Sequence, residues 1–168
     1  MGRNRSIWKE YTGWAAMEGR WLKRRHFTQD CLQHIAGRIQ SAEQQHTGEL
    51  VIAIEAVTPA HESNSYHRAL EVFGRLRVWY TPWNTGVLLY LALDSRSIEI
   101  VADRGISAPN QAWTDVCERL QTRLQAGDYI DGVLAAIDSI ETLLGMYSMP
   151  LPEGEENRDD LPNKPVLL

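Results

Sequence analysis

Cysteine is nearly absent from this 168-residue chain: Cys31 and Cys117 stand alone, in unrelated contexts. Two such thiols build neither a disulfide frame nor a metal knuckle, and they fit the reduced state. No apolar run approaches the roughly 20 residues that cross a bilayer. A signal-peptide core is missing as well, because Trp8 to Leu22 is interrupted by Lys9, Glu10, Glu18 and Arg20. The expected compartment is the cytoplasm. The chain has no P-loop, no dinucleotide glycine fingerprint and no nucleophile-elbow serine, so no nucleotide or organic cofactor is expected. His61-Glu62 and His67 lack the i, i+4 histidine pair of a zinc protease and read as loop and surface groups.

What is present describes one domain with extensions, long enough to bury a core. Hydrophobic content of 43% and charged content of 23% are ordinary for a globular protein. The charge is uneven. Residues 1–27 carry seven Lys/Arg against two Glu, and the remainder carries a net −10. An acidic core argues against a nucleic-acid partner. The N-terminal 27 residues interleave Trp8, Tyr11, Trp14, Trp21 and Phe27 with arginines. That pattern has two open readings: a peripheral anchor on the inner membrane face, or an arm packed on the domain.

Thr28 predicts the cap of a helix with Leu32, Ile35, Ala36, Ile39 and Ala42 on its apolar side, ended by a left-handed Gly48. Glu49 to Val57 is apolar on consecutive residues and predicts a strand buried on both faces. A second helix follows, with a stripe of Tyr66, Ala69, Leu70, Phe73 and Leu76. Thr85 to Leu93 is the next buried strand, parallel to the first across a right-handed crossover. The tight turn at Asp94-Ser95 forces the third strand, Ser97 to Ala102, to run antiparallel. Two helices close the domain, with stripes at Trp113, Val116, Cys117, Leu120 and Leu124, then Val133, Ile137, Ile140 and Leu144. Gly127 separates them, and Asp128 with Asp131 has the spacing of a capping box. The expected fold is a three-layer α/β/α sandwich on a small mixed sheet, a parallel pair plus an antiparallel hairpin strand. It divides into an arm (1–27), the domain (28–149) and a proline-rich acidic tail (150–168) docked through Val166-Leu167-Leu168.

This order of elements resembles the TPM domain family, named for a thylakoid lumen protein, a photosystem II repair protein and a nematode receptor modulator. The resemblance rests on Thr47-Gly48-Glu49-Leu50-Val51, Asn84-Thr85-Gly86-Val87-Leu88-Leu89, Leu91-Ala92-Leu93-Asp94-Ser95-Arg96 and Gly127-Asp128-Tyr129, and spans roughly residues 28–146. The wording Ile100 to Ile106, with Leu161 to Leu168, is similar to a soluble bacterial branch. The resemblance implies an α/β/α sandwich, association with membrane complexes, calcium binding in some members and weak acid phosphatase activity in plant ones. Two positions depart from it. Asn84-Thr85 stands where many members have two asparagines, and Asp103-Arg104-Gly105 where many have Gly-Tyr-Gly.

On the residues alone, two sheet edges gather polar groups. One holds Thr58, Asp94, Arg96 and Ser97, an edge where open parallel sheets take ligands, or else a turn with an exposed ion pair. The other holds Glu49, Asn84 and Asp103 beside glycine turns, with Arg104 next to them. These oxygens suit Ca²⁺ or Mg²⁺, or else serve local turns. Trp79, Tyr80 and Trp83 lead into the second strand, either as an exposed recognition patch or as cover for the sheet edge. Asp94 ends a hydrophobic strand as an aspartyl-phosphate nucleophile would, but Arg96 stands where the acid is needed. Cys117 and Arg123 share a cysteine-phosphatase spacing, yet Cys117 falls mid-helix on the apolar stripe. The expected function is therefore a non-enzymatic interaction module for a membrane-associated assembly, with a protein partner met through Trp79, Tyr80, Trp83, Asp94, Arg96 and Arg104, and a divalent cation at Glu49, Asn84 and Asp103. The alternative, implied by the resemblance only, is a metal-dependent acid phosphatase of low activity.

Overall fold

A computed structural model of the chain describes residues 13–155, 157 and 160–168. Trp8, Tyr11 and the other basic and aromatic groups of residues 1–12 lie outside the described residues. In chain order the elements are α1 (Trp14–His26), α2 (Gln29–Ala42), a short 3-10 turn (Glu43–Gln45), β1 (Glu49–Glu55), α3 (Ser65–Arg75), β2 (Gly86–Ala92), β3 (Ser97–Ala102), α4 (Asn110–Gln125), α5 (Ile130–Tyr147) and β4 (Val166–Leu167). None of these helices is long and apolar enough to cross a membrane.

Every residue of β1 and β2 is buried. They pair in parallel from Glu49 opposite Gly86 to Glu55 opposite Ala92, and β3 pairs antiparallel with β2. Side chains alternate across the sheet. One face carries Leu50, Ile52, Ile54, Val87, Leu89 and Leu91 under α1, α2, α4 and α5. The other carries Val51, Ala53, Leu88 and Tyr90 under α3, Val78 and Leu161. The expected α/β/α layering is observed, with unequal outer layers.

Four local features differ from the sequence reading. The sheet has a fourth strand, because the tail returns and β4 pairs in parallel with β1 at Ala53–Val166 and Ile54–Leu167. Gly48 is not a left-handed cap. Its lack of a side chain is needed because a Cβ there would lie 2.8 Å from Leu144. A left-handed helix end is found instead at Gly127 (φ 83), where the Asp128 amide donates to the Arg123 carbonyl at 3.0 Å and the Gly127 amide to the Leu124 carbonyl at 3.0 Å. This is a Schellman end. Asp128 accepts from Arg123 Nε at 2.7 Å, and α5 starts without a side-chain cap.

The fourth difference is the face that α3 buries. Of the expected stripe, Ala69 is buried and Phe73 and Leu76 pack on the core, whereas Tyr66 and Leu70 are exposed and Arg68 and Val72 are buried in their stead. A guanidinium drawn into an ion pair under the helix rotates the buried face away from the two exposed positions.

Candidate functional site: two sheet edges and an aromatic rim

The edge at the carboxyl ends of β1 and β2 is a clamp. Asp94 Oδ2 accepts from the Thr58 amide at 2.8 Å, and Oδ1 accepts from the Thr58 hydroxyl at 2.8 Å and the Ser95 amide at 2.7 Å. Its carboxylate therefore ties the loop after β1 to the β2–β3 hairpin. Arg96, at φ 54 in that hairpin, donates to Glu18 of α1. A cavity of about 570 Å³ lies outside, lined by Glu18, Thr58, Glu62, Asp94 and Arg96 among others.

At the opposite edge, Glu49 opens β1 beside Gly86, and the Asp103 amide donates to the Gly86 carbonyl at 2.9 Å. Register places Glu49 and Asp103 on the same face, flanking a residue with no side chain. The gap over Gly86 is filled by the turn that precedes β2, since a Cβ there would lie 1.9 Å from the Val78 carbonyl oxygen. Asn84, at φ 55, accepts from the Arg104 guanidinium at 3.3 Å, and its carbonyl accepts from the Gly105 amide at 2.8 Å. Asp103 Oδ1 accepts from the Arg104 amide at 2.7 Å. Asp103 Oδ2 is buried with no hydrogen-bond partner. Hard oxygens with one such atom suit a divalent cation. Among the described residues, no three His, Cys, Asp or Glu side chains are grouped to share an ion.

Between α3 and β2 the turn presents Trp79, Tyr80 and Trp83 to solvent, at 48, 68 and 40% exposure. Its alternate residues hold it down. Val78 is buried on Gly86, the buried Thr81 hydroxyl accepts from the Thr85 amide at 2.8 Å, and the Thr85 hydroxyl donates to the Thr47 carbonyl at 2.6 Å. Trp79 and Tyr80 meet edge to face with centroids 5.8 Å apart. Beside Trp83 runs a groove of about 880 Å³ lined by Thr47, Glu49, Pro82, Glu155, Asn157 and Asp160 among others.

The family described as TPM domain matches residues 24–143. This chain belongs to the TPM domain family. Its structure is similar to the NMR structure of BA42 protein from the psychrophilic bacterium Bizionia argentinensis, with a TM-score of 0.72 and 26% identity, covering 83% of this chain and 94% of that one. A comparison with curated proteins gives no match. The TPM match takes in β1 to β3, and it leaves most of α1 and all of β4 outside.

Pattern reading missed a buried ion pair of this TPM domain. Under α3, the buried Glu55 carboxylate accepts from Arg68 Nε at 3.0 Å and Nη at 2.7 Å, and from the Tyr90 hydroxyl. Arg68 extends to Glu71 at 2.8 Å, and Glu71 to His61 at 3.2 Å. Hydrogen bonding to Glu55, then to Glu71, raises the Arg68 guanidinium pKa. Burial first, then the Glu55 bond, pushes the Tyr90 hydroxyl up. The signal was a glutamate inside an apolar, doubly buried strand, which requires a buried partner. His46 and Glu141 form a second buried pair at 2.8 Å. The Gly48 amide donates to His46 Nδ1 at 3.1 Å, so Nε2 carries the proton given to Glu141.

Cys117, set aside above as a mid-helix thiol, is half-buried in α4. Burial, followed by the charges of Glu99 and Glu118, pushes the Cys117 thiol up to about 11. It is a thiol at neutral pH.

Proposed function

We propose that this TPM domain is a binding module whose docking surface is the Trp79–Tyr80–Trp83 rim, and that its partner is a protein segment of a membrane-associated assembly. The carrying observation is three exposed aromatic side chains on one turn, fixed by buried Val78, Thr81 and Thr85. Large aromatics already held in place gain contact area on binding with little ordering cost, the property of interface anchors. Glu155 and Asp160 in the adjoining groove favour a basic partner segment. Asp94 and Arg96 position the hairpin, and Arg104 braces Asn84 behind the rim.

Affinity capture by the wild-type chain and by Trp79→Ala/Trp83→Ala tests this. The expected result is one or more species retained by the wild type, weakened by salt and absent from the variant, with equal melting midpoints. The same species retained by both contradicts the reading.

A second reading is supported by the buried Asp103 Oδ2: a divalent cation held by Asp103 with Glu49 and Asn84, stabilising the edge behind the rim. The acid phosphatase alternative would depend on that ion. It is less supported, since among the described residues no three His, Cys, Asp or Glu side chains are grouped to hold an ion for it.

A further inference from the structure

Helix α1 has two unlike faces. Its inner face is seated on the sheet: a Cβ at Gly19 would lie 1.9 Å from the Ala56 carbonyl oxygen, and Leu22 is buried in the core. Below it Phe27 is buried, and the His26 ring stacks on Tyr129 with centroids 4.1 Å apart. The outer face carries Trp14, Met17 and Trp21, exposed at 62, 65 and 53%. At helical periodicity these three positions fall within an arc of about 60°.

Arginines flank that stripe on both sides. Arg20, Arg24 and Arg25 are exposed, and the Arg25 guanidinium sits 5.0 Å from the centre of the Trp21 ring. The helix's one acidic residue, Glu18, is turned to Arg96. The rest of the chain from residue 28 carries a net −10, so positive charge is concentrated at this end of the sequence. Trp14, Met17, Arg20 and Trp21 lie outside the segment that the TPM family matches, and Arg24 and Arg25 lie at its start.

We infer that the outer face of α1 is a peripheral membrane contact, with Trp14, Met17 and Trp21 entering the headgroup region and Arg20, Arg24 and Arg25 meeting anionic phosphates. Charge complementarity selects a lipid surface of negative charge. Indole rings favour the headgroup boundary, and arginines at the borders of an apolar stripe reach phosphates while their stems stay in contact with the stripe. Because Gly19 and Leu22 fix the opposite face, the domain docks without unfolding the helix. This contact uses residues separate from the Trp79–Trp83 rim and stands independently of it.

Sedimentation of the full chain with phosphatidylcholine vesicles, with and without phosphatidylglycerol, provides the test. The expected result is binding to the anionic vesicles, lost with added salt, and abolished in Trp14→Ser/Met17→Ser/Trp21→Ser. Neutralising Arg24 and Arg25 to Gln lowers partition by about fivefold for each charge. Trp79→Ala/Trp83→Ala binds vesicles like the wild type. All substituted side chains are exposed, and equal melting midpoints establish that the fold is kept. No binding to anionic vesicles, or binding unchanged in the triple variant, overturns the inference. So does self-association that needs Trp14 and Trp21 without any vesicle binding.

Discussion

Arg68 holds Glu55 in a two-pronged grip, Nε at 3.0 Å and Nη at 2.7 Å, with both side chains buried between α3 and the sheet. The pair fixes the rotation of α3, and the turn that follows α3 carries Trp79, Tyr80 and Trp83. Removing Arg68 leaves the buried Glu55 carboxylate without its counter-charge in a dry environment. Arg68→Met is expected to cost about 3–5 kcal/mol of unfolding free energy in urea. Replacing both, as Glu55→Leu with Arg68→Met, recovers most of that loss. A double variant as unstable as the single one would show that shape rather than charge holds α3.

Tyr90 gives the fold an alkaline limit. Its hydroxyl stays protonated in the folded protein beyond the ordinary value of 10.0, chiefly through burial and then through its bond to Glu55. Above that pH the unfolded chain loses a proton that the folded chain keeps. The contribution of Tyr90 to stability is therefore fully present below pH 10 and is lost as pH rises beyond it. Tyr90→Phe should make the slope of stability against pH shallower by up to about one proton above pH 10. At neutral pH it should cost about 1 kcal/mol through the lost hydrogen bond. Tyr129, also raised by burial first, contributes to the slope that remains.

Gly86 links the sheet to the aromatic rim. A side chain there meets the Val78 carbonyl oxygen at 1.9 Å. Gly86→Ala should lower stability by about 2–3 kcal/mol and lift the turn from the strand. Partner capture should fall with it, although every rim residue is intact. Unchanged capture would mean that the turn need not be held down.

The Asp103 edge is tested by melts in chelator and with Ca²⁺, Mg²⁺, Mn²⁺ and Zn²⁺. Selective binding to the folded state raises the midpoint, by about 5 °C or more at saturation. Ca²⁺ or Mg²⁺ should give the shift, and Asp103→Asn should remove it. Any turnover of a phosphate monoester should need the same ion and disappear in Asp103→Asn and Glu49→Gln. Activity surviving both substitutions belongs to a contaminant.

Much of this architecture was legible in the sequence because hydrophobic burial sets the periods. The doubly apolar stretches became β1 and β2, Asp94-Ser95 turned the hairpin, and Val133, Ile137, Ile140 and Leu144 are the buried side of α5. Strand order also brings Glu49, Asn84 and Asp103 to one edge, as topology required. What escaped depends on contacts that one segment cannot announce. The buried side of α3 is decided by Glu55, thirteen residues before Arg68. β4 is two residues long in a proline-rich tail, and its partner is more than a hundred residues away. Asp94 was legible as a polar strand end, but its commitment to Thr58 was not. In α1, the buried Gly19 and Leu22 are the packed side, and the opposite side is the one for which a membrane contact is proposed.

The most direct test of the binding-module account is photo-crosslinking in cells from a reactive group at Tyr80, compared with one at Met146, which is also exposed but lies on α5. The account predicts a discrete protein adduct from position 80, absent from position 146 and lost when Trp79 and Trp83 are alanine. Adducts that are the same from both positions, or that persist without the two tryptophans, would contradict it.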